Sequence, residues 1–229
     1  MNTDFSRRTL LKGFTAVTLG TALLAAGENL LNPAAAQAAD ASWNDPTSAN
    51  GWDSLTERSS GTATYDIPGT NLEVILREGE VGVVLAYVAQ RFHYDVTQLE
   101  VNRGQIIGYS NDLQIKADFE SNHLSGTALA LYPDSYPIGV KGNLFPYQVT
   151  AIRDILAELQ GVVKWGGDME SAKESTFFID VSPGSTKLSL VAETLEQWKL
   201  TPGKGAGTQN VEDPERIAAA KKLASRQAA

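Results

Sequence analysis

The amino-acid sequence predicts an α+β fold, a small, mainly antiparallel sheet with helices packed around it. Apolar residues at Val81, Val84, Leu85 and Val88, again at Val149, Ile152, Leu156 and Leu159, and again at Leu188, Val191, Leu195 and Trp198 recur at three- and four-residue spacing. Each set makes one buried helix face. Short β-prone runs at 72–76, 127–131, 162–165 and 177–181 have strand length and lie between polar turns. Two further runs, 105–109 and 113–116, flank Ser110-Asn111-Asp112, a hairpin signal that makes the sheet antiparallel.

Taken in order, residues 39–70 are rich in Ser, Thr, Asn, Asp and Gly, with Trp43 and Trp52 as large anchors. They predict an irregular N-terminal arm lying over the domain. The strand at 72–76 turns at Arg77-Glu78-Gly79 into the first helix, which ends near Arg91. The hairpin follows, then the strand at 127–131. Pro146 lacks the amide that a first helical turn leaves unpaired, so it can open the second helix, and Gly161 ends it. The runs at 162–165 and 177–181 are two more strands of the same sheet, and Ser185 can cap a third helix. Beyond Thr201 a Gly-rich linker leads to an Ala-rich helix at 214–227, whose thin apolar stripe predicts a tail that frays or docks on a partner. The domain proper is thus 71–200, and 201–229 is linker and tail.

Residues 1–38 have the order of an export signal. Ser6-Arg7-Arg8-Thr9-Leu10-Leu11-Lys12 is a twin-arginine segment, 13–26 is a weakly apolar run, and Ala36-Gln37-Ala38 offers small residues for cleavage after Ala38. The competing expectation is an amphipathic helix of the mature chain. Cleavage leaves 191 of the 229 residues, enough for one domain with a real core. There is no cysteine, hence no disulfide and no lipid attachment site. The expected product is secreted or cell-wall associated. Residues 39–200 carry 11 basic against 22 acidic side chains. That balance repels phosphate backbones and anionic lipid, which argues against nucleic-acid and membrane-surface roles.

Two segments carry the chemistry. Ser121-Asn122-His123-Leu124-Ser125-Gly126-Thr127-Ala128 continues into Leu129-Ala130, and Trp165-Gly166-Gly167-Asp168 leads through a polar loop to Phe177-Phe178. The pattern S-x-H-x-x-G-x-A-x-D, then W-G-G, then D-x-x-H-F resembles the zinc D-alanyl-D-alanine carboxypeptidases and related phage endolysins that cut peptidoglycan peptides. Five elements stand in order: Ser121, His123, Gly126, Ala128 and Trp165-Gly166-Gly167. The resemblance covers roughly residues 72–181.

In that family a histidine, an aspartate seven residues later and a second histidine hold zinc. A carboxylate three residues before the second histidine deprotonates the metal-bound water, and an upstream arginine steadies the developing oxyanion. Carried over, His123 is the one retained ligand, while Ala130 stands at the aspartate. Counting twelve residues from Trp165 puts Phe177 at the second histidine and Glu174 at the base. A loop one residue shorter instead puts Thr176 at the histidine and Lys173 at the base. Lys116 stands near the arginine position, with an exposed strand lysine as the alternative. His93 reads as a helix terminus rather than a ligand.

Complete structural zinc sites have apparent affinities of roughly 10 to 16 kcal/mol, which one imidazole does not approach. The expectation is therefore no cofactor, or zinc if carboxylates such as Asp118, Glu120, Asp134 or Glu174 rebuild the site around His123. Without metal, His123 reads as a buried, hydrogen-bonded residue, Gly126 and Ala128 as small residues required by a turn and close packing, and Trp165 as a core anchor.

The resemblance thus implies an exported, catalytically degenerate peptidoglycan-carboxypeptidase-like domain. It would bind a cell-wall peptide or an extracytoplasmic protein through a cleft lined by Ser121, His123, Gly126 and Trp165. Two alternatives stay open. One is an active metallopeptidase with an altered site of His123, Glu174 and Asp134 or Asp168. The other is a structural or assembly protein acting through its C-terminal tail.

Overall fold

Thr62, Thr64, Tyr65 and Ile67 suit a strand, and Pro68-Gly69 stops it before the chain returns. In the computed structural model, which describes residues 41–57, 60–100 and 105–228, the result is a regular hairpin. After a two-residue strand β1 (Ala41–Ser42), β2 (Thr62–Ile67) pairs antiparallel with β3 (Leu72–Arg77), from Thr62 opposite Arg77 to Ile67 opposite Leu72. The stretch expected to be irregular through residue 70 therefore ends in a strand. The expected export signal lies outside the described residues.

Helix α1 (Glu80–Asp95) follows at once, and its expected apolar face is buried through Val81, Val84, Leu85, Val88 and Phe92. The next two strands depart from the expected hairpin. β4 (Ile106–Ile107) pairs with β6 (Ala128–Leu131), and β5 (Gln114–Ile115) pairs with β1. Each takes a long-range partner because the intervening chain is already engaged: Tyr109 N–H donates to the Ile75 carbonyl at 2.6 Å, Ser110 N–H to that of His123 at 3.1 Å, and Asp112 Oδ1 accepts from Gln114 N–H at 2.9 Å. That side-chain turn competes with a two-strand ladder.

The principal sheet has the order β4-β6-β8-β7, all antiparallel, with β7 at Val163–Trp165 and β8 at Thr176–Ile179. Directly opposed residues share a face. Leu129, Leu131, Phe177, Ile179, Val163 and Trp165 join the main core with α1 and α2 (Pro146–Glu158). Ala128 and Phe178 face the other way and meet Phe119, whose ring stacks on Phe178 at 5.7 Å. Helix α3 (Thr186–Lys199) packs on α1. Ser185 holds its N-cap position without a side-chain capping bond. No helix among the described residues is long and apolar enough to cross a membrane.

The C-terminal helix α4 (Pro214–Gln227) lies along α2. Asp213 caps it by accepting from the Glu215 and Arg216 N–H groups, and Ala220 and Leu223 are buried. Its thin apolar stripe thus packs within the chain. Arg216 completes a buried ionic network. Arg91, wholly inaccessible, bonds to Asp95, Asp154 and Glu158, while Arg216 bonds to Asp154 through Nε and Nη2 at 2.7 Å and to Glu158 Oε1 at 3.0 Å. Tyr87 Oη donates to Glu158 Oε2 at 2.7 Å. Buried charges persist only when paired and hydrogen-bonded, so the network pins α1, α2 and α4 to one another.

Candidate functional site

Residues 118–123 form a 3-10 helix. Short polar side chains drive this by bonding locally. Glu120 Oε2 accepts from Lys116 N–H at 2.7 Å, and Ser121 Oγ donates to the Asp118 carbonyl at 2.6 Å. The chain then reverses at Gly126, whose φ of +67° disfavours other residues. Space demands glycine as well: a Cβ there would lie 2.7 Å from the Arg77 backbone nitrogen. Arg77 N–H in turn donates to the Gly126 carbonyl at 2.9 Å, tying the motif to β3.

His123 is 7% exposed, and its Nδ1 lies 2.7 Å from the Gly108 carbonyl oxygen, so that nitrogen carries the hydrogen as donor. Burial pushes the imidazole from its ordinary 6.5 down to about 4, and the Gly108 carbonyl only partly offsets this. The nearby charges oppose each other, Lys173 lowering the value and Glu120 raising it. Those two form an ion pair at 2.6 Å. Burial pushes the Glu120 carboxyl up, but the Lys173 ammonium and the Lys116 N–H outweigh it and hold the group below its ordinary value.

The sheet places the substituted positions. Ala130 stands opposite Thr176 in the β6–β8 pair, and both are fully buried on the face away from the helices. Phe177 lies opposite Leu129 and Trp165 on the helix side, its ring edge-on to Phe92 at 6.1 Å. Thr176, not Phe177, is therefore the β8 residue on the side of the sheet that carries Phe119 and its 3-10 helix. Of the two registers the spacing allows, the shorter one names the residue that faces Ala130 and the longer one names Phe177 in the helical core. The loop sets this: Lys173 N–H donates to the Gly166 carbonyl and Thr176 N–H to that of Lys173, both at 3.0 Å.

Glu174 has another occupation. Its carboxylate accepts from the Gly142 and Asn143 N–H groups at 2.7 and 2.9 Å, closing the 140–143 loop. Trp165 donates its indole N–H to the Glu174 carbonyl at 2.8 Å and lies under the Arg153 guanidinium, which pairs with Asp168. Asp118, Asp134 and Lys116 are exposed. His93 Nδ1 accepts from Leu99 N–H at 2.9 Å, closing the end of α1.

These residues do not fit a zinc ion. Among the described residues no three His, Cys, Asp or Glu side chains stand in an arrangement that could hold a metal. Near His123 the carboxylate that could serve, Glu120, is already neutralised by an ammonium.

The expected cleft is also closed. Ser121, His123, Gly126 and Trp165 are all buried, and the arm at 41–57 is laced onto the same segment. Ala49 N–H donates to Ser121 Oγ at 2.9 Å, and Asn50 N–H to Asn122 Oδ1 at 3.1 Å. Asn50 Nδ2 donates to Thr127 Oγ1 at 2.8 Å and to the Ile179 carbonyl at 2.9 Å. Ser48 Oγ bonds to Ser125 Oγ at 2.8 Å, and Trp52 Nε1 donates to the Val181 carbonyl at 2.8 Å. The motif's polar residues thus hold the arm. Trp52 was legible as an anchor; Ser48 and Asn50 were not, since partners more than seventy residues away leave no local periodicity.

No protein-family model, no curated protein and no solved structure matches the chain.

Proposed function

We propose that the chain is an exported, catalytically degenerate domain of the peptidoglycan-carboxypeptidase type that binds cell-wall peptide without hydrolysing it. The observation carrying this reading is the opposition of Ala130 and Thr176, all three of Ala130, Thr176 and His123 being buried. A methyl group stands where the resemblance calls for a carboxylate, a benzyl group or, in the shorter register, a hydroxyl where it calls for an imidazole, and the remaining imidazole is held by a main-chain carbonyl. Hydrolysis by this route needs a metal-activated water, and the donors for it are missing. The order of motif segments, with β6, which opens at the motif's Ala128, beside β8, which follows W-G-G, supports descent from that fold. With the old cleft closed, contact with the wall belongs to another surface.

The test is direct. The purified mature chain should be retained on isolated peptidoglycan sacculi and should release no D-alanine from a wall pentapeptide. It should also hold well under one zinc per chain after dialysis. Release of D-alanine that His123→Ala abolishes would overturn the loss of catalysis, and absence from the sacculus fraction would overturn wall binding.

A further inference from the structure

A groove of about 800 Å³ opens between β2, α1, the end of α3 and the linker that follows. Its size lies within the range of small-molecule and short-peptide sites. Tyr65, Tyr87 and Trp198 line it, the latter two with ring centroids 6.1 Å apart and planes 57° to one another. Tyr87 is held in place from behind, because its hydroxyl donates to Glu158 in the buried ionic network. Such support keeps a wall preorganised.

Its polar groups are open to a ligand. Trp198 and Gln90 are half-buried, and neither the indole N–H nor the Gln90 amide has a hydrogen-bond partner among the described residues. Asp66 and Lys204 line the same groove, both exposed, and neither has an ion-pair partner there. One unpaired carboxylate, one unpaired ammonium, amide-type donors and acceptors, and aromatic faces together describe a complementary ligand. A polyanion would meet Asp66, and a neutral sugar would leave both charges unsatisfied.

We propose that this groove binds a short peptide with free ends. Its ammonium meets Asp66, its carboxylate Lys204, its amides Gln90 and the Trp198 indole, and its apolar side chains the aromatic rings. That the peptide is a stem peptide freed from the cell wall, its amino end no longer amide-linked to the glycan, rests on the function proposed above.

Calorimetry on the mature chain with a synthetic wall pentapeptide tests this, alongside the N-acetylated peptide, the C-amidated peptide and a neutral chitin oligosaccharide. Blocking either end should weaken binding by about tenfold, the worth of one charge-assisted hydrogen bond. Asp66→Asn should abolish the penalty for N-acetylation alone, and Lys204→Met the penalty for amidation alone. Both side chains are exposed, so neither change touches the core. Equal binding of all three peptides, variants without effect, or preference for the oligosaccharide would overturn the assignment. Retention on sacculi unchanged in both variants would move the wall contact elsewhere while leaving the proposed function standing. Groove-dependent peptide binding without retention on sacculi would do the reverse, and no binding of either kind overturns both.

Discussion

Ala130 and Thr176 face each other across the β6–β8 pair, while Phe177, one residue on, points its ring at Phe92 in the helical core. Two metal ligands on one side of this strand pair are therefore to be placed at 130 and 176. Ala130→Asp with Thr176→His should confer zinc binding measurable by calorimetry. Ala130→Asp with Phe177→His should instead destabilise the fold by about 3 kcal/mol or more, through the lost aromatic packing and the buried polar ring, and should bind no zinc.

The burial of His123 makes stability depend on pH. Its folded value of about 4 lies below the ordinary 6.5, so between these values the unfolded chain binds a proton that the native chain does not. Stability is full above about 6.5 and falls as pH drops toward 4, by on the order of 3 kcal/mol. Urea midpoints measured across that window should fall for the native chain. In His123→Gln, which can still donate toward the Gly108 carbonyl, that fall should be smaller.

The arm is a structural part of the domain. Asn50→Ala removes donors to Thr127 and Ile179 and leaves both acceptors buried, which should cost about 2 kcal/mol. Chemical denaturation reads the loss. Backbone amides of Ala49 and Asn50, bonded to Ser121 and Asn122, should be protected from hydrogen exchange in the native chain and exposed in the variant.

Truncation after Thr201 removes Arg216 from Asp154 and Glu158 and uncovers the surface of α2 against which α4 lies. Three carboxylates then face Arg91 alone. Breaking a buried ionic group by removing a partner costs about 3 to 5 kcal/mol, so the truncated domain should melt well below the full chain. Equal melting temperatures would show that α4 is dispensable to the fold.

Gly126→Ala should be disproportionately costly for a one-carbon change. The left-handed φ and the backbone nitrogen of Arg77 both exclude a side chain, so a loss above about 1 kcal/mol in a denaturant titration is expected.

Local pattern carried the three apolar helix faces, the strands at β3, β6, β7 and β8, and the end of α2 at Gly161. Residue type alone also decides that the side chain at position 130 offers no lone pair. The strand β2 escaped local pattern, since its threonines and flanking glycines look like loop composition.

Only the tertiary structure decided what depends on distant partners. The turn from Gly166 to Lys173 set which of Thr176 and Phe177 faces Ala130, and a shift of one residue moves every side chain of a strand to the other face. The same holds for the strands β4 and β5, for the arm laced onto Ser121–Thr127, and for α4 locked by Arg216. Hydrogen bonds and ion pairs between residues distant in sequence depend on how the chain closes in space. The sequence supplied the groups, and folding chose their partners.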